Sequence, residues 1–300
     1  MSAPPRPPWS EIQARLTELG FSPAKQRGQN FLVDEGDVRA IAAWAAPQPG
    51  ETVLEVGVGL GFLTRHLVAA GARVLGVEID PRLIGLAQTL FPELSAVEFV
   101  AADALAGKHR LAPQLLQRLP TAGPWMVCAN LPYNIASPLL ALLSDLEAPP
   151  RAMTVLVQAE VAERLAAAPG DPAWGALGAR LSAGYSARIV RRVPAAHFRP
   201  RPRVESAVVR LEARSGAAAV PGAEFGRLLA ALFSQRRKTL KHPLAAYLAG
   251  RVPPGAERGR ALELLSQAGI DPQLRVEAVP VEGLLALCRG LPPGPAPGTA

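Results

Sequence analysis

The chain has 300 residues, 49% apolar and 19% charged, enough to bury a full core and too apolar for a disordered chain. Its net charge of +7 rests on 32 basic residues, of which only 4 are lysine, and arginine is the better residue for bidentate phosphate contacts, although a GC-rich genome would favour it too. Cys128 and Cys288 lie far apart without Cys-x-x-Cys spacing, no run reaches the roughly 18 apolar residues of a membrane span, and Met1–Trp9 lacks the apolar stretch of a signal peptide; a cytoplasmic protein with no disulfide framework, metal site or membrane segment is expected.

Residues 1–9 and 292–300 are Pro/Gly/Ala tails, expected to be mobile. From Gly50 onward, short β-branched runs at 52–56, 73–77, 97–101, 125–129 and 153–157 alternate with helical stretches at 62–70, 82–90, 111–119 and 135–146. The runs are nearly continuous in apolar residues, as strands buried on both faces are. Such alternation predicts an α/β fold with a parallel, doubly wound sheet whose ligands sit at the strand carboxyl ends. Beyond it come a helix at 160–168, a Pro-Gly-Asp-Pro turn at 169–172, strands at 187–193 and 207–211, and a linker at 215–221. Helices at 224–233, 239–248, 256–268 and 281–289 then predict a small C-terminal helical domain.

Chemistry concentrates at the predicted strand ends. Gly57, Gly59 and Gly61 follow the first of these strands and open a helix, where glycine allows close backbone approach and positive φ. A dinucleotide fingerprint would need Gly or Ala at position 62, where the chain has Phe62. Glu55 before the glycines suits the cationic S-adenosylmethionine and would repel a phosphate. Glu78 ends the second strand, placed for ribose hydroxyls in either cofactor class. Asp103 follows the third and reads as an adenine contact or as a turn residue. After the fourth strand, Asn130-Leu131-Pro132-Tyr133 reads as an ordinary turn or as a loop that holds an exocyclic amino group. In the second reading the Asn130 side-chain oxygen and the Leu131 carbonyl accept the amino protons and Tyr133 stacks on the base. The ordered series favours an S-adenosylmethionine-dependent N-methyltransferase.

Two basic runs follow. Eight arginines between Arg188 and Arg214 face only Glu205 and Glu212, and Arg236, Arg237, Lys238 and Lys241 lie near a predicted helix start. Either run alone reads as a solvated face; interleaved with Phe198 and prolines, Arg199, Arg201 and Arg203 with Arg236, Arg237 and Lys238 suit RNA phosphates and bases. His197 reads as a phosphate neighbour or a satisfied structural histidine, and Cys128 as core.

Seven segments occur in order: Gly28-Gln29-Asn30-Phe31-Leu32, the Glu55–Gly61 loop, Asn130–Ile135, Ser137-Pro138-Leu139-Leu140, Val157–Leu165, Phe198–Val208 and Arg236-Arg237-Lys238-Thr239-Leu240. Over roughly residues 25 to 245 the chain resembles the bacterial small-subunit ribosomal RNA adenine dimethyltransferases (the KsgA/RsmA type). The resemblance implies a Rossmann-like class I methyltransferase fold. Its expected parts are an N-terminal extension at 1–24, the S-adenosylmethionine-dependent domain at 25–214, a helical domain at 215–291 and a tail at 292–300. It implies that Asn30 and Leu32 join Gly57, Glu78, Asp103 and Asn130 around the cofactor, and that Phe198 stacks on the target adenine opposite Tyr133. The implied reaction is N6 dimethylation of two adjacent adenosines in the 3′-terminal hairpin loop of 16S rRNA, in the small subunit or its precursor; a monomer is expected. Departures are Val58, where the family usually has Pro, and Lys241-His242-Pro243, where Asn often follows the basic run. A large-subunit rRNA adenine methyltransferase of the macrolide-resistance type and a ribosome-assembly binding factor remain as alternatives.

Overall fold

The structure is a computed structural model that describes residues 6–21, 30–107, 109–214 and 222–294. Gly28 and Gln29, the expected linker at 215–221 and most of the two expected tails lie outside the described residues. In chain order the elements are α1 (Trp9–Glu18), β1 (Phe31–Leu32), α2 (Glu35–Ala45), β2 (Thr52–Val56), α3 (Phe62–Ala69), β3 (Arg73–Glu78), α4 (Pro81–Leu90), β4 (Glu98–Ala101), α5 (Pro113–Leu116), β5 (Trp125–Asn130), α6 (Ala136–Ser144), β6 (Ala152–Gln158), α7 (Ala159–Ala166), α8 (Ala176–Ser182), β7 (Tyr185–Val193), β8 (Phe198–Arg199), β9 (Ser206–Ala213), α9 (Gly222–Ser234), α10 (Lys241–Leu248), α11 (Glu257–Gln267) and α12 (Val281–Arg289).

The chain divides into two compact units. One comprises the residues up to Glu163 together with Ala187–Ala213; the other comprises Arg164–Ser186 and the residues from Arg214 onward. The helical unit therefore takes in a segment from the middle of the chain as well as the C-terminal helices. Its core is built from Trp174 together with Phe225, Leu228 and Leu232, which share one face of α9, and with Leu244, Leu264 and Leu284 from α10, α11 and α12.

The other unit is organised by a seven-stranded sheet in the order β4-β3-β2-β5-β6-β9-β7. Pairs β3–β4, β2–β3, β2–β5 and β5–β6 are parallel, as the alternating pattern predicts. The sheet is mixed beyond that point, because β9 runs antiparallel to β6. Strands β5 and β6 are buried along nearly their whole length, which is why they read as continuous apolar runs. The strand order reverses between β2 and β5, and that topological switch opens a cleft at the carboxyl ends.

Several elements differ from expectation. Helix α1 forms inside what reads as an extension, because Trp9, Ile12 and Leu16 share a face, and Ile12 and Leu16 are buried in the core. Helix α2 is capped by Asp34, whose side chain accepts from the Asp37 N–H at 2.8 Å. The helix expected over 111–119 shrinks to Pro113–Leu116. Among the described residues, no helix is long and apolar enough to cross a membrane.

Candidate active site

A cleft lies over the ends of β2, β3, β4 and β5, and its wall includes Asn30, Leu32, Glu55, Gly57, Gly59, Glu78, Asp103, Asn130, Leu131 and Tyr133. Ten of the residues singled out in the sequence thus meet in one place. Phe31, Phe62, Ile79 and Pro132 also line it. Their signal in sequence is only adjacency to the motif residues.

The glycine loop takes its shape from backbone geometry. Gly57, Gly59 and Gly61 have φ of 81°, 56° and 75°, a region that side-chain-bearing residues avoid. Space is tight as well: a Cβ on Gly57 would lie 3.1 Å from the Pro132 ring, and one on Gly59 would lie 3.2 Å from the Phe31 ring. Gly57 donates to the Val77 carbonyl at 2.8 Å, and Val58, where a proline would have no N–H, donates to the same oxygen at 3.4 Å.

Two carboxyl groups sit behind this loop. Both oxygens of Glu78 are held by backbone donors, Oε2 by Gly59 N–H at 2.9 Å and Oε1 by Asp80 N–H at 3.0 Å. Burial raises the Glu78 carboxyl above its ordinary range, and these donors oppose the rise. Glu55 is 1% exposed, and its Oε2 has no hydrogen-bond partner. Burial pushes its carboxyl up to about 8, with Thr64 opposing and Glu78 adding to the shift. An orphaned acidic oxygen on a cleft wall, beside a glycine cradle whose positive φ disfavours a side chain, fits a ligand bearing positive charge. Asp103 is exposed and accepts from Leu105 N–H at 2.9 Å, so it is a turn residue as well as part of the wall.

On the opposite side, Asn130 closes β5 and donates from Nδ2 to the Asn30 carbonyl at 3.1 Å. This bond fixes the amide orientation and leaves Oδ1 as the acceptor. Leu131 is anchored by its N–H to the Leu156 carbonyl at 3.1 Å. The half-buried Tyr133 has its hydroxyl 2.7 Å from Ser206 Oγ.

Phe198 corrects the expectation of two facing rings. It is completely buried in the core beneath the short β1–β8 pairing, opposite Leu32, and is not part of the cleft wall. A ring that packs in the core offers no face to a base in this conformation. The neighbouring His197 is a satisfied histidine, its Nδ1 2.6 Å from Asp37 Oδ2. With Asp34 these two form the one group of metal-ligand type among the described residues, but the Arg191 guanidinium already lies 3.1 Å from Asp37 Oδ1.

The arginine-rich stretch divides in the structure. Arg210 is held inside by the Trp44 and Ala45 carbonyls and by Glu212. Arg191 pairs with Asp37, Arg192 with Glu163, and Arg214 with the Tyr185 carbonyl. Arg199 is exposed but ties back to the carbonyls of Ala196 and Phe198, each at 2.9 Å. Arg201 and Arg203 are exposed and form no ion pair among the described residues. In the helical unit Arg236 pairs with Glu277 at 3.0 Å, whereas Arg237 and Lys238 are exposed without such a partner.

Comparison with known proteins places this geometry. The family model described as Ribosomal RNA adenine dimethylase matches residues 20–288. A Ribosomal RNA small subunit methyltransferase A from Moorella thermoacetica is 38% identical over 93% of this chain and 96% of its own length. One of the same name from Phenylobacterium zucineum is 40% identical over 92% of this chain and 90% of its own. Among solved structures, a dimethyladenosine transferase from Plasmodium falciparum superposes with a TM-score of 0.69 at 24% identity, over 86% of this chain and 96% of its own. The 23S rRNA methyltransferase ErmE gives 0.59 at 29% identity, over 87% and 99%. The fold is that of the class I methyltransferases, and the chain belongs to the ribosomal RNA adenine dimethylase family.

Proposed function

We propose that this chain is a cytoplasmic, S-adenosylmethionine-dependent enzyme that dimethylates N6 of two adjacent adenosines in the 3′-terminal hairpin loop of 16S rRNA, in the small subunit or its precursor. The observation that carries the reading is the fixed Asn130 amide at the end of β5, across one cleft from Glu55 and Glu78. S-adenosylmethionine, when bound, supplies a methyl group on a sulfonium centre. Gly57 and Gly59 let the backbone approach it, Glu78 accepts from its ribose hydroxyls, Glu55 neutralises its positive charge, and Asn30, Leu32 and Asp103 complete the enclosure.

An adenine amino nitrogen is a weak nucleophile because its lone pair is delocalised into the ring. Asn130 Oδ1 and the Leu131 carbonyl accept its two protons, which favours a pyramidal nitrogen and aims the lone pair across the cleft. Tyr133 packs against the base. No strong base is required, since the alkylated amine is acidic and releases its proton to water. The target must leave its stack, which loop RNA allows at small cost. Exposed Arg201, Arg203, Arg237 and Lys238 supply phosphate contacts, with Arg199 and Arg236 beside them.

The alternative reading, methylation of large-subunit RNA, is not favoured: the curated relatives at 38 and 40% identity are named small-subunit methyltransferases, whereas ErmE is 29% identical. The experiment is to incubate the protein with labelled S-adenosylmethionine and either small-subunit particles from cells lacking the enzyme or naked 23S RNA. Dimethyladenosine in the 16S hairpin, found by mass spectrometry, is the expected result; label confined to 23S RNA would reverse the assignment.

A further inference from the structure

The proposed chemistry leaves helix α1 unused, yet two chains of contact lead from this helix and the residues after it to Glu78. In the first, the Trp9 and Phe21 rings pack on Phe31 at centroid distances of 6.5 and 6.1 Å, tilted by 46° and 47°. The Phe31 ring in turn lies against Gly59, whose N–H donates to Glu78 Oε2 at 2.9 Å. In the second, the Arg82 guanidinium lies 5.4 Å from the Phe21 ring centroid and forks onto Asp80 at 2.9 and 2.6 Å. The Asp80 N–H then donates to Glu78 Oε1 at 3.0 Å. Each oxygen of Glu78 is therefore gripped by a donor that aromatic packing backs from behind.

A glycine at φ 56° has a broad backbone basin and does not hold its own N–H in one direction. The hydrogen bonds of the neighbouring Gly57 and Gly61 narrow that freedom, and packing from outside narrows it further. Ile12 and Leu16, buried in the core, anchor α1 where it can.

We propose that Trp9, Phe21 and Arg82 are positioning residues that fix the Glu78 carboxylate and thereby set cofactor affinity. The inference rests on reading the cleft as the S-adenosylmethionine site. Loosening the brace lets the carboxylate turn away from the ribose hydroxyls without touching the methyl-transfer geometry, so affinity falls and turnover at saturation holds.

The test is isothermal titration of the full chain with S-adenosylhomocysteine, beside methylation kinetics. Phe21→Ala should raise the dissociation constant roughly 3- to 10-fold, the scale of one lost aromatic pair. Arg82→Gln should raise it about 2- to 5-fold through loss of an exposed cation–π contact and its fork. Phe21→Tyr should restore binding to within about twofold, and turnover at saturating cofactor should stay within about twofold in every case. In a Glu78→Ala background, Phe21→Ala should add nothing, since the route it acts through is gone. Unchanged binding in both Phe21→Ala and Arg82→Gln, or a loss that persists in full without Glu78, overturns the inference. Should Phe21→Ala fail to fold, Arg82→Gln decides alone, because that side chain is 48% exposed. A wild-type chain that does not bind S-adenosylhomocysteine overturns the site reading itself, a distinct result.

Discussion

The two walls of the cleft are built to different standards. On the β2–β3 side, Glu55 and Glu78 are buried, the glycine backbone is fixed by hydrogen bonds, and both Glu78 oxygens are taken up. On the β5 side only Asn130 and Leu131 are fixed; the Tyr133 hydroxyl rests on Ser206 and Phe198 is packed away in the core. On the proposed reading, the cofactor wall is complete before anything binds, whereas the base wall is completed by the RNA. Preorganisation is therefore concentrated where a small molecule is held, and adaptability where a base must enter.

The sharpest way to break this contrast is at a fixed side chain on the base side. Asn130→Ala should lower turnover about 100- to 1000-fold, the scale of losing one oriented dipole at the reacting atom, while RNA affinity stays near that of the wild type. Single-turnover methylation together with filter binding measures both, and equal loss in the two would make Asn130 a structural residue instead. On the cofactor wall, Glu78→Ala should weaken S-adenosylmethionine binding roughly 10- to 100-fold, as expected for two hydrogen bonds to a charged acceptor. Calorimetry gives the constant, and an unchanged value removes Glu78 from the ribose.

Glu55 turns the same wall into a pH-sensitive one. Its carboxyl titrates near 8 in the folded protein against an ordinary value of 4.5, so the folded state holds a proton that the unfolded chain has already lost. The stability this proton gives is fully present below 4.5 and is lost as the pH rises toward 8. Glu55→Gln should consequently raise the melting temperature at pH 8 relative to the wild type and flatten the decline across that window. Binding runs the other way. A cationic ligand favours the ionised carboxylate, so wild-type affinity for S-adenosylmethionine should rise from pH 6 to 8, and the Gln variant should lack that slope. Parallel pH profiles in the two proteins would show that Glu55 faces no positive charge.

Much of the cofactor wall was legible because it follows local rules. Glu55, Glu78, Asp103 and Asn130 each sit at or just beyond the end of an apolar run, and the parallel order of those runs brings their ends together. What sequence could not convey depends on distant partners. Phe198, flanked by arginine and prolines, reads as an exposed ring, yet it is buried because β8 pairs with β1 more than 160 residues earlier (Leu32 opposite Phe198). Arg210 reads as one more phosphate ligand, but the end of α2 presents two carbonyls to it across β9. Helix α1 was obscured by the prolines before Trp9, although the Trp9, Ile12, Leu16 spacing was present to be seen.

The smallest expected effect separates arginines that sequence alone makes equivalent. Arg236 is already paired with Glu277 and also donates to the Pro172 carbonyl, so part of its charge is spoken for before RNA arrives. Arg237 and Lys238 are exposed, with no ion pair among the described residues. A phosphate contact on single-stranded RNA contributes about 0.7 to the slope of log affinity against log salt. Arg237→Ala and Lys238→Ala should each flatten the slope by about that amount, and Arg236→Ala by clearly less, because its charge is already partly neutralised by Glu277. Binding of a 16S hairpin-loop RNA measured from 50 to 200 mM salt resolves the difference. Equal slopes for all three variants would mean that the Glu277 pair opens on binding, and that the helical unit, like the base wall, takes its final form only on the RNA.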